Sequence, residues 1–341
     1  MIPYSRQWID SDDGDAVAEV LISDWLTQGP KVKEFEIALA KETGAKFVVT
    51  FSSGTAALEA AYFAVGIQKG DEIITSPLTF SATANAALWA GAKVVFADVE
   101  SETGNIDPKE VARKITAKTK AILPVDYAGL PARLLELRKI AKNCGAVLIE
   151  DAAHSLGARY RGKNVVTFAD ITMFSFHPVK SITTGEGGAI ATNSKIFFER
   201  LTLFREHGIT KDRKKFSEKN QGAWYYEMQE LGHNYRLTDI QAALGLSQLK
   251  KLSVFVSKRR EAANRYERAF RGNSNLVLPS DSMDTRSSLH LYPLRLAGKY
   301  ASRRKEIFTE LRARDIGVQV HYIPIYLHPY YQKLGYTKGL C

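Results

Sequence analysis

The chain has 341 residues, 45% of them hydrophobic and 25% charged, with a formal net charge of +10. That balance is ordinary for a globular protein and excludes a disordered chain. No apolar run approaches a bilayer span, and the opening MIPYSRQWIDSDDGD has neither the basic start nor the apolar stretch of an export signal, so a soluble, cytoplasmic protein is expected.

Two cysteines, Cys144 and Cys341, are too few for a disulfide framework or a metal cluster, and no metal is expected. The basic residues are interspersed with acidic ones. Even the densest patch, Lys211 to Lys219, reads as a solvated loop, so neither nucleic acid nor a membrane is an expected partner. A basic surface would also suit an anionic substrate.

From Lys46 to about Arg205 short β-branched runs alternate with amphipathic stretches, the pattern of an α/β domain with a mostly parallel sheet. The predicted strands are KFVVTF, DEIITS, AKVVFADV, KAILPV, AVLIED, ITMFSF and GAIATN. Predicted helices between them include TAALEAAYFAV and PARLLELRKIAKN, the latter opened by a proline suited to a first turn. A polar segment, Lys211 to Gly222, interrupts the pattern, and a long helix from Arg236 to Phe270 follows as a linker. The remainder reads as a smaller α+β unit, with HLYPLRL and VQVHYIPIY as strands around the helix SRRKEIFTELRARD. The expected division is 1–235, 236–270 and 271–341.

In an open parallel sheet ligands gather at the carboxyl ends of the strands. Four such ends carry chemistry. SSGTAAL turns from strand to helix through Gly54, where free N–H groups attract a phosphate and Thr55 adds a hydroxyl; alternatively Ser53 simply caps the helix. EDAAHSLG drives Asp151 out of an apolar strand, either to cap a helix or, if pyridoxal phosphate is present, to pair with its pyridinium nitrogen. His154, one turn on, lies beside a cofactor ring or is structural. SFHPVKSITTGEGG sets Lys180 between a strand and a Gly-rich turn, where a lysine kept from bulk water loses its proton near neutral pH and can bond covalently to an aldehyde; Ser175 could reach a phosphate. SPLTFSATANAA puts Phe80 where it would stack on a cofactor or join the core.

With LTQGPKVKEFE, LGHNYRLTDIQAALGLSQL and VQVHYIPIYLHPYY added to these segments, the chain resembles the DegT-type sugar-nucleotide aminotransferases over nearly its whole length. The resemblance implies a fold-type I homodimer binding pyridoxal phosphate at sites shared between subunits. By that likeness Lys180 binds the cofactor covalently, Asp151 pairs with its ring nitrogen, His154 lies beside it and Phe80 stacks on it. Gly54, Thr55 and Ser175 would hold the phosphate, with Asn234 reaching in from the other subunit. Arg236 and Tyr322 would contact the substrate.

Related sugar dehydratases carry histidine in place of this lysine, so transamination is expected over dehydration. A cofactor-binding regulator is the alternative outside enzymology. The set VDYAG, LGHNYRL, HLYPLRL and VQVHYIPIY is most similar to the pseudaminic acid branch, which aminates a UDP-linked 4-keto-6-deoxy-N-acetyl-hexosamine, with L-glutamate implied as donor. Relatives continue past HYIPIYLHPYY with a further strand and helix, so the small unit is expected to be incomplete.

Overall fold

The computed structural model describes residues 1–341. All seven predicted strands of the first region form: β1 (Phe47–Phe51), β2 (Glu72–Thr75), β3 (Lys93–Phe96), β4 (Thr119–Leu123), β5 (Val147–Asp151), β6 (Ile171–Ser175) and β7 (Gly188–Thr192). They make one sheet in the order β1-β7-β6-β5-β4-β2-β3. Only β7 runs against its neighbours, so the other six strands end on the same edge.

The helices are α1 (Ser11–Leu21), α2 (Pro30–Thr43), α3 (Gly54–Val65), α4 (Ser81–Trp89), α5 (Pro108–Lys114), α6 (Leu134–Cys144), α7 (Lys195–Arg205), α8 (Asp239–Lys250), α9 (Leu252–Phe270), α10 (Arg304–Ala313) and α11 (Pro329–Lys333). The strands read as continuous apolar runs because both faces of the sheet are covered. Consecutive residues serve opposite layers: Ile74 and Leu148 pack with Phe35 of α2 and Leu137 of α6, whereas Ile73 and Ile149 pack with Leu58 of α3 and Leu201 of α7. TAALEAAYFAV becomes α3, opened where Ser53 Oγ accepts the Ala56 N–H at 3.1 Å and closed where Gly66 takes a φ of 80°.

Three expectations need correction. Pro131 lies outside its helix, which starts at Leu134. The linker is two helices rather than one, because the α8 geometry ends at Lys251 before α9 begins. HLYPLRL and VQVHYIPIY are not strands beyond a two-residue ladder, Arg295–Leu296 against Leu276–Val277. Each run contains a proline, Pro293 or Pro324, which removes a ladder donor, and Leu289 just before the first takes a φ of 52° that no strand allows.

The segment after Pro324 returns to the large sheet. Ile325, Tyr326 and Tyr331 are buried in the same apolar layer as Phe96, and the hydroxyls of Tyr331 and Tyr336 donate to Asn85 Oδ1 at 2.8 Å and to the Val94 carbonyl at 2.6 Å.

Candidate active site

Because six strands end on one edge, the motifs that follow β1, β2, β5 and β6 converge there. Lys180 lies in an irregular turn after β6 and is half-buried. Burial pulls its ammonium down to about 8, against the opposing influence of Asp151. Roughly a tenth of the amine is therefore free at pH 7, far more than an exposed lysine would offer.

Asp151 ends β5, the neighbour of β6, and is buried. No helix follows it, so it is not a cap. Its Oδ2 accepts from Thr83 Oγ1 at 2.8 Å and its Oδ1 from the Ala153 N–H at 3.1 Å. Burial pushes this carboxyl above the usual carboxylate range, while Thr83, Ala153 and the charge of Lys180 pull the other way. Thr83 is in turn bonded to Thr79 at 2.9 Å, so the carboxylate is held by a fixed hydroxyl chain.

His154 is buried, with Nε2 3.2 Å from the Tyr322 hydroxyl and its ring centroid 4.3 Å from that of His290. Burial first, then the charge of Lys180, holds this imidazole well below its ordinary value, so it is neutral. Its Nδ1 has no partner in the chain.

At the start of α3 the cap reading of SSGTAAL is met, and the phosphate reading is compatible with it. Ser53 caps the helix, and the N–H groups of Gly54 and Thr55 remain without an acceptor. A Cβ on Gly54 would stand 3.1 Å from Ser175 Cβ and 3.2 Å from its Oγ, so glycine lets the helix start close against Ser175. Phe80 is 62% exposed and belongs to no core, which removes the packing alternative; it opens α4, the helix that carries Thr83.

No hydrogen bond or ion pair joins Asn234 or Arg236 to Lys180. Asn234 is exposed, while Arg236 Nη1 bonds Glu206 at 3.2 Å and lines a cavity of about 580 Å³ with Gln28, Lys33, Arg205 and Lys211.

Several polar groups near the site escaped sequence reasoning. Asp126 and Glu150 form a buried carboxyl pair below it, with Ser155 Oγ donating to Asp126 at 2.6 Å and Thr172 Oγ1 to Glu150 at 2.9 Å. Burial, followed by the nearby Asp126, drives Glu150 well upward, so Glu150 keeps the proton of the pair. His290 and Arg259 come from distant segments and carry no local signal in sequence.

The family model described as the DegT/DnrJ/EryC1/StrS aminotransferase family matches residues 7–341. The UDP-4-amino-4,6-dideoxy-N-acetyl-beta-L-altrosamine transaminase of Campylobacter jejuni is 44% identical over 337 residues, covering 98% of this chain and 87% of the relative. The structure of Helicobacter pylori PseC, an aminotransferase of pseudaminic acid biosynthesis, superposes with a TM-score of 0.93 at 40% identity, over 98% of this chain and 88% of that one. Spr1654 from Streptococcus pneumoniae in its PLP-form gives 0.91 at 31% identity, over 98% and 88%. No helix of this chain is long and apolar enough to cross a membrane. On sequence, fold and the arrangement around Lys180, the chain belongs to the DegT/DnrJ/EryC1/StrS aminotransferase family.

Proposed function

We propose that the protein transfers an amino group to C4 of a UDP-linked 4-keto-6-deoxy-N-acetyl-hexosamine, using pyridoxal phosphate bound covalently through Lys180. The observation that carries this is Lys180 itself, an amine depressed to about 8 by burial beside the end of the strand that bears Asp151. The residues fit the cofactor: two acceptor-free N–H groups and Ser175 suit a phosphate, Asp151 suits a protonated ring nitrogen, and exposed Phe80 offers a ring face. When bound, the cofactor supplies an electron sink for charge at the substrate carbon.

Asp151 would hold a proton on the ring nitrogen, its carboxylate fixed in place by Thr83 and the Ala153 N–H. Lys180 Nζ would take the proton from the donor's α-carbon and would deliver one to the carbon that receives the amine. Neutral His154, bonded to Tyr322, would lie beside the cofactor ring without adding charge. A lysine at position 180 favours this transfer over dehydration.

The likeness to the Campylobacter jejuni transaminase and to PseC supports the sugar. L-Glutamate as donor, a cytoplasmic homodimer with Asn234 reaching the partner's phosphate site, and substrate contacts from Arg236 and Tyr322 belong to the same proposal. The test is an assay with a panel of UDP-keto-sugars and L-glutamate. Amination of the 4-keto-6-deoxy-N-acetyl-hexosamine ahead of the others is the expected result, and product from a different sugar alone would overturn the specificity.

A further inference from the structure

The turn that carries Lys180 has few restraints. The Lys180 N–H donates to the His177 carbonyl at 2.9 Å, and the Lys180 carbonyl accepts from Arg259 Nη2 at 3.0 Å, across 79 residues of sequence. No other side chain bonds the main chain of this turn between His177 and Ile182.

Arg259 lies on α9 beside Arg260, and the two are treated differently. Arg260 pairs with Asp281 at 2.9 Å and also donates to the Ser287 carbonyl. Arg259 has no carboxylate within 4.0 Å, and its second terminal nitrogen, Nη1, is buried without an acceptor. A guanidinium withdrawn from water with no counter-ion costs stability, and such groups gather where function requires them. Burial alone lowers its affinity for the proton, with no carboxylate opposing.

We infer that Arg259 is a positioning residue for Lys180: it fixes the main chain from which the lysine side chain starts and ties that turn to α9, the helix that leads into the small unit. The inference rests on the reading that Lys180 binds the cofactor. Without the bond the turn keeps one hydrogen bond, and Nζ is free to drift from its reacting position. A displacement of about 1 Å costs roughly a hundredfold in rate.

The experiment compares Arg259→Met with Arg259→Lys in two readouts: the rate at which the cofactor-free protein captures pyridoxal phosphate, followed by absorbance and reductive trapping, and the split between kcat and KM. Arg259→Met is expected to slow capture and lower kcat by roughly ten- to a hundredfold, leaving KM for both substrates within about twofold. Arg259→Lys, which can still donate to the carbonyl, is expected to recover most of both. If Arg259→Met keeps wild-type capture and kcat and loses only thermal stability, the role is structural and the inference is wrong. It is equally wrong if Arg259→Lys recovers nothing. Should Arg259→Met not fold, Arg259→Gln takes its place; the expected order is Arg, Lys, Gln, and any other order overturns the idea. Lys180→Ala run alongside separates the two questions, since capture by that variant would remove the underlying reading, whereas the Arg259 results bear on positioning alone.

Discussion

At Lys180 two opposing influences set the chemistry, and their signs can be checked. Burial lowers its affinity for the proton and Asp151 raises it, with a balance of about 8. Only the neutral amine captures the cofactor, so the capture rate should climb about tenfold per pH unit below that value and level off above it. Asp151→Asn removes the charge that raises Lys180 and should move the plateau to lower pH; movement to higher pH would show that another charge controls the lysine. In turnover the same variant should lose about a hundredfold or more, as expected for a charge-assisted pair worth roughly 3 kcal/mol. Lys180→Ala should abolish turnover while circular dichroism stays unchanged, and persistence of the trapped cofactor in that variant would refute the assignment.

At the scale of elements, two glycines that meet at the end of β1 have separable jobs. A Cβ on Gly188 would stand 2.6 Å from the Ser53 carbonyl, a backbone atom that cannot step aside, so Gly188→Ala should cost about 1–3 kcal/mol of stability. On Gly54 the collision is milder, 3.1 Å from Ser175 Cβ, and alanine favours a helix, so Gly54→Ala should keep the fold yet weaken cofactor binding by shifting Ser175. Denaturant melts beside cofactor titrations check both; equal effects on stability would argue against a phosphate cradle here. The seven strands were legible because a parallel sheet covered on both faces demands unbroken β-branched runs, and the strand-end motifs because each is contiguous. What stayed hidden depends on tertiary partners. The break at Lys251 lies inside a good helical pattern, HLYPLRL looks like a strand but finds only a two-residue ladder, and in SKRREAANR nothing local distinguishes half-buried, carboxylate-free Arg259 from paired Arg260.

At the scale of the whole molecule, Asn234 and Arg236 bear on whether one chain or two build each site. Neither bonds Lys180, and the Tyr235 carbonyl accepts from the Ser52 N–H at 2.8 Å and keeps their segment against the sheet edge. On the stretches that flank them the chain exposes Trp224, Met228 and Leu231, and, on the segment bonded to Asp239, Trp25 and Leu26; large exposed apolar side chains of this kind suit an interface. A twofold partner that covered these residues and received Asn234 into its own phosphate site would account for both observations. If sites are shared in this way, Lys180→Ala and Asn234→Ala chains, each inactive alone, should regain activity when co-expressed, because one of the two sites in a mixed dimer then has both residues intact. Random pairing makes about half of the dimers mixed, so recovery near a quarter of the wild-type rate per dimer is expected. Mixed dimers verified by two affinity tags that nevertheless remain inactive would mean that each site is built within a single chain, and Asn234 would then have to be assigned a role away from the cofactor.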